Sequence, residues 1–389
     1  MSPRSLRIPR TLAAWPWPRA INANYLEVKA ESSAWLENFK PFTPKAQTSF
    51  NKCDFNLLAS LAYPLASRDE YTDAGDEVHA SMIANVTMDA IRNPFKARPK
   101  GESIVGEIAR QFWARTFGIS NKTSIQRFID TFDAYLQSVV IQAQDRSKSH
   151  FRDIEDYFDM RRDNIGAKPS FAILELGLDI PGFVMEHPSI RAMTLSAIDM
   201  LIIGNDLCSF KVEHARGDDM HNILTIAKHQ FGKDLEYAVQ WADAHHRMLR
   251  GKFLSALEEV PSWGAEVDEQ VSQYLYGLAN WVRANDSWSF ESQRYFGERG
   301  KEIQRHRSVE LDCAHSGCVM ELSDREENLE NTPRPLHHSR KYPNLLGTAI
   351  KDLVFNSPAG YLCHAGSLGS RIFYVAVLSG LLLFWGKSA

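Results

Sequence analysis

The stretch Leu195-Ser-Ala-Ile-Asp-Met-Leu-Ile-Ile-Gly-Asn205-Asp-Leu-Cys-Ser209-Phe-Lys-Val-Glu213 joins an apolar run to a polar stripe. Asn205, Ser209 and Glu213 fall at i, i+4 and i+8, so a helix lines an amide oxygen, a hydroxyl and a carboxylate along one face. The apolar residues before them (Leu195, Ile198, Met200, Leu201, Ile202, Ile203) predict a helix roughly from Ser189 to Glu213. Three oxygen ligands in a row suit a hard cation such as Mg2+, which keeps waters and shares its remaining positions with phosphate oxygens. The same stripe also suits a solvated helix end, where Asn, Ser and Glu are common.

Outward from this stretch, the same helical period recurs. Ile125, Phe128, Ile129, Phe132, Leu136 and Val139 follow the i, i+3, i+4 rule. Val78, Met82, Val86 and Ala90 do so too, and Asn93-Pro94 stops that helix. Tyr25, Val28, Trp35, Leu36 and Phe39 mark an earlier helix, and later ones run from about Leu235 to Leu257 and Val267 to Trp288. No segment alternates with period two between hairpin turns, so a sheet is not expected. The fold class is all-α. After about Arg307 the periodicity fades into Pro-containing and Gly-rich pieces, which predicts a main domain over residues 1–307 and a poorly specified tail over 308–389.

Composition bounds the function. The chain has 389 residues, 44% hydrophobic and 24% charged, and a formal net charge of −4. That is ordinary soluble usage without the basic field of a nucleic-acid binder. Five cysteines form no disulfide framework and fit a reducing compartment, so a cytoplasmic location is expected. The four residues before Trp15-Pro-Trp-Pro18 are too few for a signal-peptide core. The apolar run Ile372 to Trp385 is the one candidate for membrane contact, and it is shorter than a span requires. Cys313, Cys318, His315, His337 and His338 match no common zinc spacing and are read as free thiols and solvated imidazoles.

Two acidic and two basic elements add to the polar stripe. Asp69-Glu-Tyr-Thr-Asp73 sets two carboxylates one helical turn apart, where they could grip a cation or stay solvated. Arg161-Arg162 precede Asp163-Asn-Ile-Gly166, with Gly166 breaking a helix. Arg294-Tyr295 follow a Trp-rich helix bearing Trp281 and Trp288. A guanidinium offers a fork of donors to phosphate oxygens, and a Tyr hydroxyl adds one more. Each Arg could equally be an ordinary salt-bridge partner.

Together these elements resemble the fungal class I sesquiterpene synthases, in particular those of basidiomycete type. Asn205-Asp-Leu-Cys-Ser209-Phe-Lys-Val-Glu213 is similar to their asparagine/serine/glutamate metal motif, and Asp69-Glu-Tyr-Thr-Asp73 to their aspartate-rich motif. Arg294-Tyr295 resembles their diphosphate-binding pair, and Phe158-Asp-Met-Arg-Arg-Asp-Asn-Ile-Gly166 the stretch with the diphosphate-sensing Arg, assigned to Arg162. The similarity extends through Trp15-Pro-Trp-Pro18, Gly106-Glu-Ile-Ala-Arg-Gln-Phe-Trp113 and Trp281-Val-Arg-Ala-Asn-Asp-Ser-Trp288, over about residues 10–305.

The resemblance implies a helical bundle around a deep apolar pocket, with a cluster of Mg2+ ions (three are expected) holding the diphosphate of farnesyl diphosphate. Asp69 would bind two of the ions, with Asp73 nearby, and Asn205, Ser209 and Glu213 the third. Arg162, Arg294 and Tyr295 would clasp the leaving group, and Trp288, with Phe171 second, would face the carbocation. The resemblance implies a small-molecule substrate, no nucleic acid and no obligate protein partner, with a lean to protoilludene-type products. A chain-elongating prenyltransferase ranks lower, because that chemistry uses a second aspartate-rich motif where Asn205, Ser209 and Glu213 stand. The pattern departs from the relatives in two places. Leu61-Ala-Tyr-Pro64 runs into Asp69 across only Leu65, Ala66, Ser67 and Arg68, where the relatives carry roughly one helix more. The chain also continues well past Arg294-Tyr295. A non-catalytic diphosphate- and Mg2+-binding isoform is the alternative these departures raise.

Overall fold

In the computed structural model, residues 5–64, 78–116, 121–148 and 150–311 are described. The helices in chain order are α1 (Tyr25–Phe39), α2 (Pro44–Cys53), α3 (Phe55–Ala62), α4 (Val78–Arg92), α5 (Ile104–Thr116), α6 (Lys122–Ser147) and α7 (Ile154–Asn164). They continue with α8 (Ala167–Leu174), α9 (Gly182–Met185), α10 (Pro188–Arg216), α11 (Ile223–Phe231), α12 (Leu235–Glu258), α13 (Ala265–Glu291) and α14 (Gly300–His306). The six helices read from periodicity are α1, α4, α6, α10, α12 and α13.

Local chemistry sets their ends. Thr43 caps α2 by accepting from the Ala46 N–H, with Pro44 in the first turn. Asp153, Asn121 and Asp234 cap α7, α6 and α12 through the backbone N–H groups of Asp156, Ser124 and Tyr237. Gly217, at φ 71°, ends α10 in the left-handed region that other residues resist. Gly166, at φ 75°, lies between α7 and α8 as the sequence predicts.

The long helices α10 and α13 pack against each other at the centre, with α12 along α10 and α3 along α13. α10 is apolar and long enough to cross a membrane by length and composition, but it lies mostly buried within the bundle. Around it α6 turns Phe128, Phe132 and Tyr135 inward, all fully buried. The N-terminal segment is pinned to the outside of α12 and α13. There Trp15 and Trp17 pack against Phe253 at centroid distances of 5.0 and 5.8 Å, and the Trp15 Nε1–H donates to the Ala279 carbonyl.

Two expectations change. A two-stranded antiparallel ribbon exists, with β1 (Ser5–Arg7) paired to β2 (Ser308–Glu310) and Leu6 opposite Val309. Three-residue strands show too little alternation to be read from sequence. The ribbon also sets regular structure beyond the boundary expected at Arg307, through Glu310. The cysteines and histidines at 313–338 and the run Ile372 to Trp385 lie outside the described residues.

Candidate active site

α10 carries Asn205, Ser209 and Glu213 on one face, all buried: 9%, 1% and 6% exposed. Ser209 and Glu213 open onto a cleft of about 290 Å3 whose other walls are the end of α2 (Ser49, Lys52, Cys53) and the chain after α13 (Arg294, Tyr295). The sequence-predicted residues Ser209, Glu213, Arg294 and Tyr295 therefore share one cavity. Asn205 joins them, because its Nδ2 donates to the Tyr295 hydroxyl at 2.8 Å.

Behind the motif stands Arg161, not Arg162. Arg161 is 3% exposed and donates from Nη2 to Asn205 Oδ1 and from Nη1 to Asn164 Oδ1, both at 3.0 Å. Its Nη2 also lies 3.6 Å from Asp206 Oδ1. Burial works against its charge, but Tyr157, Asp206 and Glu213 outweigh that and hold the guanidinium protonated. Asp206 itself is pushed up to about 6, chiefly by burial, with Arg161 opposing. The Tyr157 hydroxyl closes the network, 2.5 Å from Asp206 Oδ2.

Arg162, the residue assigned from sequence, faces another way. Its Nε and Nη2 grip the two oxygens of Asp199 at 2.8 and 2.9 Å, and its Nη1 reaches Asp159 at 2.6 Å. Asp199 lies a turn and a half before Asn205 on α10, so Arg162 ties α7 to α10 on the far side of the motif. Neighbours on a helix point about 100° apart, and that rotation brings Arg161 to the site.

Arg294 is a caged cation. Its guanidinium lies over the rings of Phe55, Trp288 and Tyr295 at 5.5, 5.8 and 5.4 Å. Its Nε is buried without a hydrogen-bond partner. Among the described residues no carboxylate pairs with it. A guanidinium set among aromatic faces, with Tyr295 and the Cys53 thiol (3.7 Å away) supporting its charge, is poised for an anion. Trp288 was expected to face a carbocation. In the structure its ring lies under Arg294, and its Nε1–H donates to the carbonyls of Cys53 and Asp54 at 2.8 and 3.0 Å. Phe171 is buried, its ring 6.4 Å from Trp281. Asp69 and Asp73 lie outside the described residues.

Sequence reasoning missed Asn222. Its side chain reaches Glu213, Ser209 and the Asp206 carbonyl together, and the only signal for it was an Asn standing before the apolar pair Ile223-Leu224.

Amide, hydroxyl and carboxylate oxygens are a hard donor set, and they fit Mg2+. Asn205 Oδ1 spends one lone pair on Arg161 and keeps a second, and Asn222 is bonded to Oε2 of Glu213.

Comparison with known proteins agrees with this geometry. A family model described as terpene synthase family 2, C-terminal metal binding, matches residues 66–250. A delta(6)-protoilludene synthase of Stereum hirsutum is 50% identical over 325 residues, covering 79% of this chain and 88% of that protein. A delta(6)-protoilludene synthase of Armillaria ostoyae is 49% identical, covering 78% of this chain and 93% of its own. Sesquiterpene synthase 9 of Postia placenta is 46% identical over 79% of this chain and 94% of its own. Among solved structures, a-eudesmol synthase superposes with a TM-score of 0.61 at 18% identity, covering 71% of this chain and 98% of that one. Hedycaryol synthase in complex with nerolidol gives 0.58 at 18%, covering 73% and 100%. The structural likenesses speak for the fold, and the sequence relatives for the family. The chain is a member of the terpene synthase family, a class I sesquiterpene synthase of the basidiomycete type.

Proposed function

We propose that the chain is a Mg2+-dependent cyclase that ionises farnesyl diphosphate, releasing diphosphate, and closes the resulting cation, which then loses a proton, to a hydrocarbon of protoilludene type. The observation that carries this reading is the convergence on Asn205, which bonds Arg161 and Tyr295 at once beside a cleft shared by Ser209, Glu213 and Arg294. The product class follows the protoilludene synthases to which the chain is similar.

Ionisation breaks the C–O bond with both electrons leaving on oxygen, so negative charge grows on the diphosphate as it departs. Donors placed beforehand around that oxygen lower the barrier without reorganising. Arg294, caged by rings, brings a full positive charge that no carboxylate among the described residues pairs with. Tyr295 places a hydroxyl between that cation and Asn205. Arg161 backs Asn205 from α7, its orientation locked by Asn164 and Tyr157. Asn205, Ser209 and Glu213 would hold one Mg2+, which when bound neutralises phosphate oxygens and draws the leaving group into register. On the resemblance alone, Asp69 and Asp73 are assigned the other ions. The reading needs only a small-molecule diphosphate, with no protein or nucleic-acid partner, in the cytoplasm.

The test is direct. Purified protein incubated with farnesyl diphosphate and Mg2+ should release a volatile hydrocarbon, resolved by gas chromatography and mass spectrometry. Chelation of the metal, or Glu213→Ala, should abolish it. A folded protein that forms no hydrocarbon under these conditions refutes the proposal.

A further inference from the structure

The loop after α10 returns to the motif through one residue. Asn222 is completely buried. Its Nδ2 donates to Glu213 Oε2 at 3.0 Å and to the Asp206 carbonyl at 2.9 Å, with Ser209 Oγ at 3.5 Å. Its Oδ1 accepts from the Leu224 N–H at 3.0 Å and so caps α11. Asp206 completes the joint from the other side, since its Oδ2 accepts from the Ile223 N–H at 2.8 Å. The start of α11 is thus bolted to the back of the α10 stripe, and the amide lies between two of the three residues proposed to hold a cation.

We infer that Asn222 is a positioning residue for that cation site. It fixes the rotamer of Glu213 by bonding one carboxylate oxygen, and it steadies the Ser209 hydroxyl. A carboxylate on a helix has several open rotamers, and one directed donor removes most of that freedom. Residues that orient metal ligands in this way typically contribute a factor of ten or more to affinity. The inference rests on the proposed metal reading for its cation, and on the hydrogen bonds alone for its geometry.

The cap and the donor can be separated. Asn222→Ser keeps a good helix cap but is too short to reach Glu213, whereas Asn222→Ala loses both. Mn2+, with inorganic diphosphate and no organic substrate, serves as the probe, titrated by electron paramagnetic resonance against the full-length protein. The Ser variant, which keeps the cap, should melt above the Ala variant yet bind Mn2+ about tenfold more weakly than the parent. A crystal structure of the same variant should show the Glu213 carboxylate swung from its place. Affinity within about twofold of the parent, or an unmoved Glu213, overturns the inference. If the parent itself takes up no Mn2+, the metal reading under the proposed function fails, and the crystallographic position of Glu213 alone decides the role of Asn222.

Discussion

A single step along a helix turns the side chain by about 100°, and α7 uses that step to separate two arginines by task. Arg161 is bonded into the motif while Arg162 clamps Asp199. Replacing each by Lys keeps charge and removes the planar fork. Arg161→Lys should lower kcat about tenfold to a hundredfold, because the fork that orients Asn205 is lost. Arg162→Lys should keep kcat within about threefold and lower the melting temperature, since Asp199 loses a bidentate partner. Steady-state kinetics with a thermal melt on each variant checks both, and the reverse pattern would return the sensing role to Arg162. The sequence could not separate the two, because adjacent identical residues differ only in which way the helix turns them.

Acid sensitivity also belongs to single residues. His246 on α12 is 1% exposed with an unpartnered Nδ1, and burial, helped by Arg250, pushes it down to about 3. An unfolded imidazole titrates near 6.5, so between those values the unfolded chain binds a proton that the folded chain refuses. Stability from this group is complete above about pH 6.5 and falls as pH drops, by about 2 kcal/mol at pH 5. Chemical denaturation at both pH values should show a steep acid limb, flattened in His246→Leu. Equal slopes in the two proteins would mean that the imidazole is protonated when folded.

At the scale of elements, the α2–α3 corner forms one wall of the cleft and is riveted to the end of α13. Trp288 Nε1 bonds the Cys53 and Asp54 carbonyls, and the Gln293 N–H bonds the Lys52 carbonyl at 3.0 Å. Trp288→Phe keeps an aromatic face beneath Arg294 but removes the N–H that bridges the Cys53 and Asp54 carbonyls and leaves a gap beside Phe55. It should cost about 2 kcal/mol or more in chemical denaturation while the product profile stays the same. Unchanged stability with altered products would make the ring a carbocation face after all. Long helices such as α6 and α13 were legible because many turns repeat one apolar face. Two-turn helices such as α3 and α8 carry too few residues for a period to emerge. The motif itself was legible because its spacing lies within one helix. Asn222 was not, because its partners lie on another element and are set by how the chain returns after Gly217.

Across the whole molecule, the two ends of the folded body are fastened together. The Ile8 N–H donates to the Arg307 carbonyl at 2.8 Å, and β1 and β2 bury Leu6, Ile8 and Val309. Arg307 turns the chain at φ 57°, places its guanidinium 4.4 Å from the Phe290 centroid and reaches Asp286 at 3.4 Å. Phe290 is on α13, four residues before Arg294, so the strap braces the helix end that carries the caged cation. A chain cut after Arg307, the boundary that fading periodicity suggests, would strip β2 from β1 and expose Ile8 and Leu6. A chain cut after Leu311 keeps the ribbon. Burial of one valine is worth about 2 kcal/mol, and the lost strand bonds add to it, so the shorter chain should melt several degrees below the longer one. Its Mn2+ affinity should fall as well, because the strap and the Arg294–Tyr295 wall share α13. Coincident melting curves for the two truncations would show that the ribbon is ornamental and that the fold ends at α14.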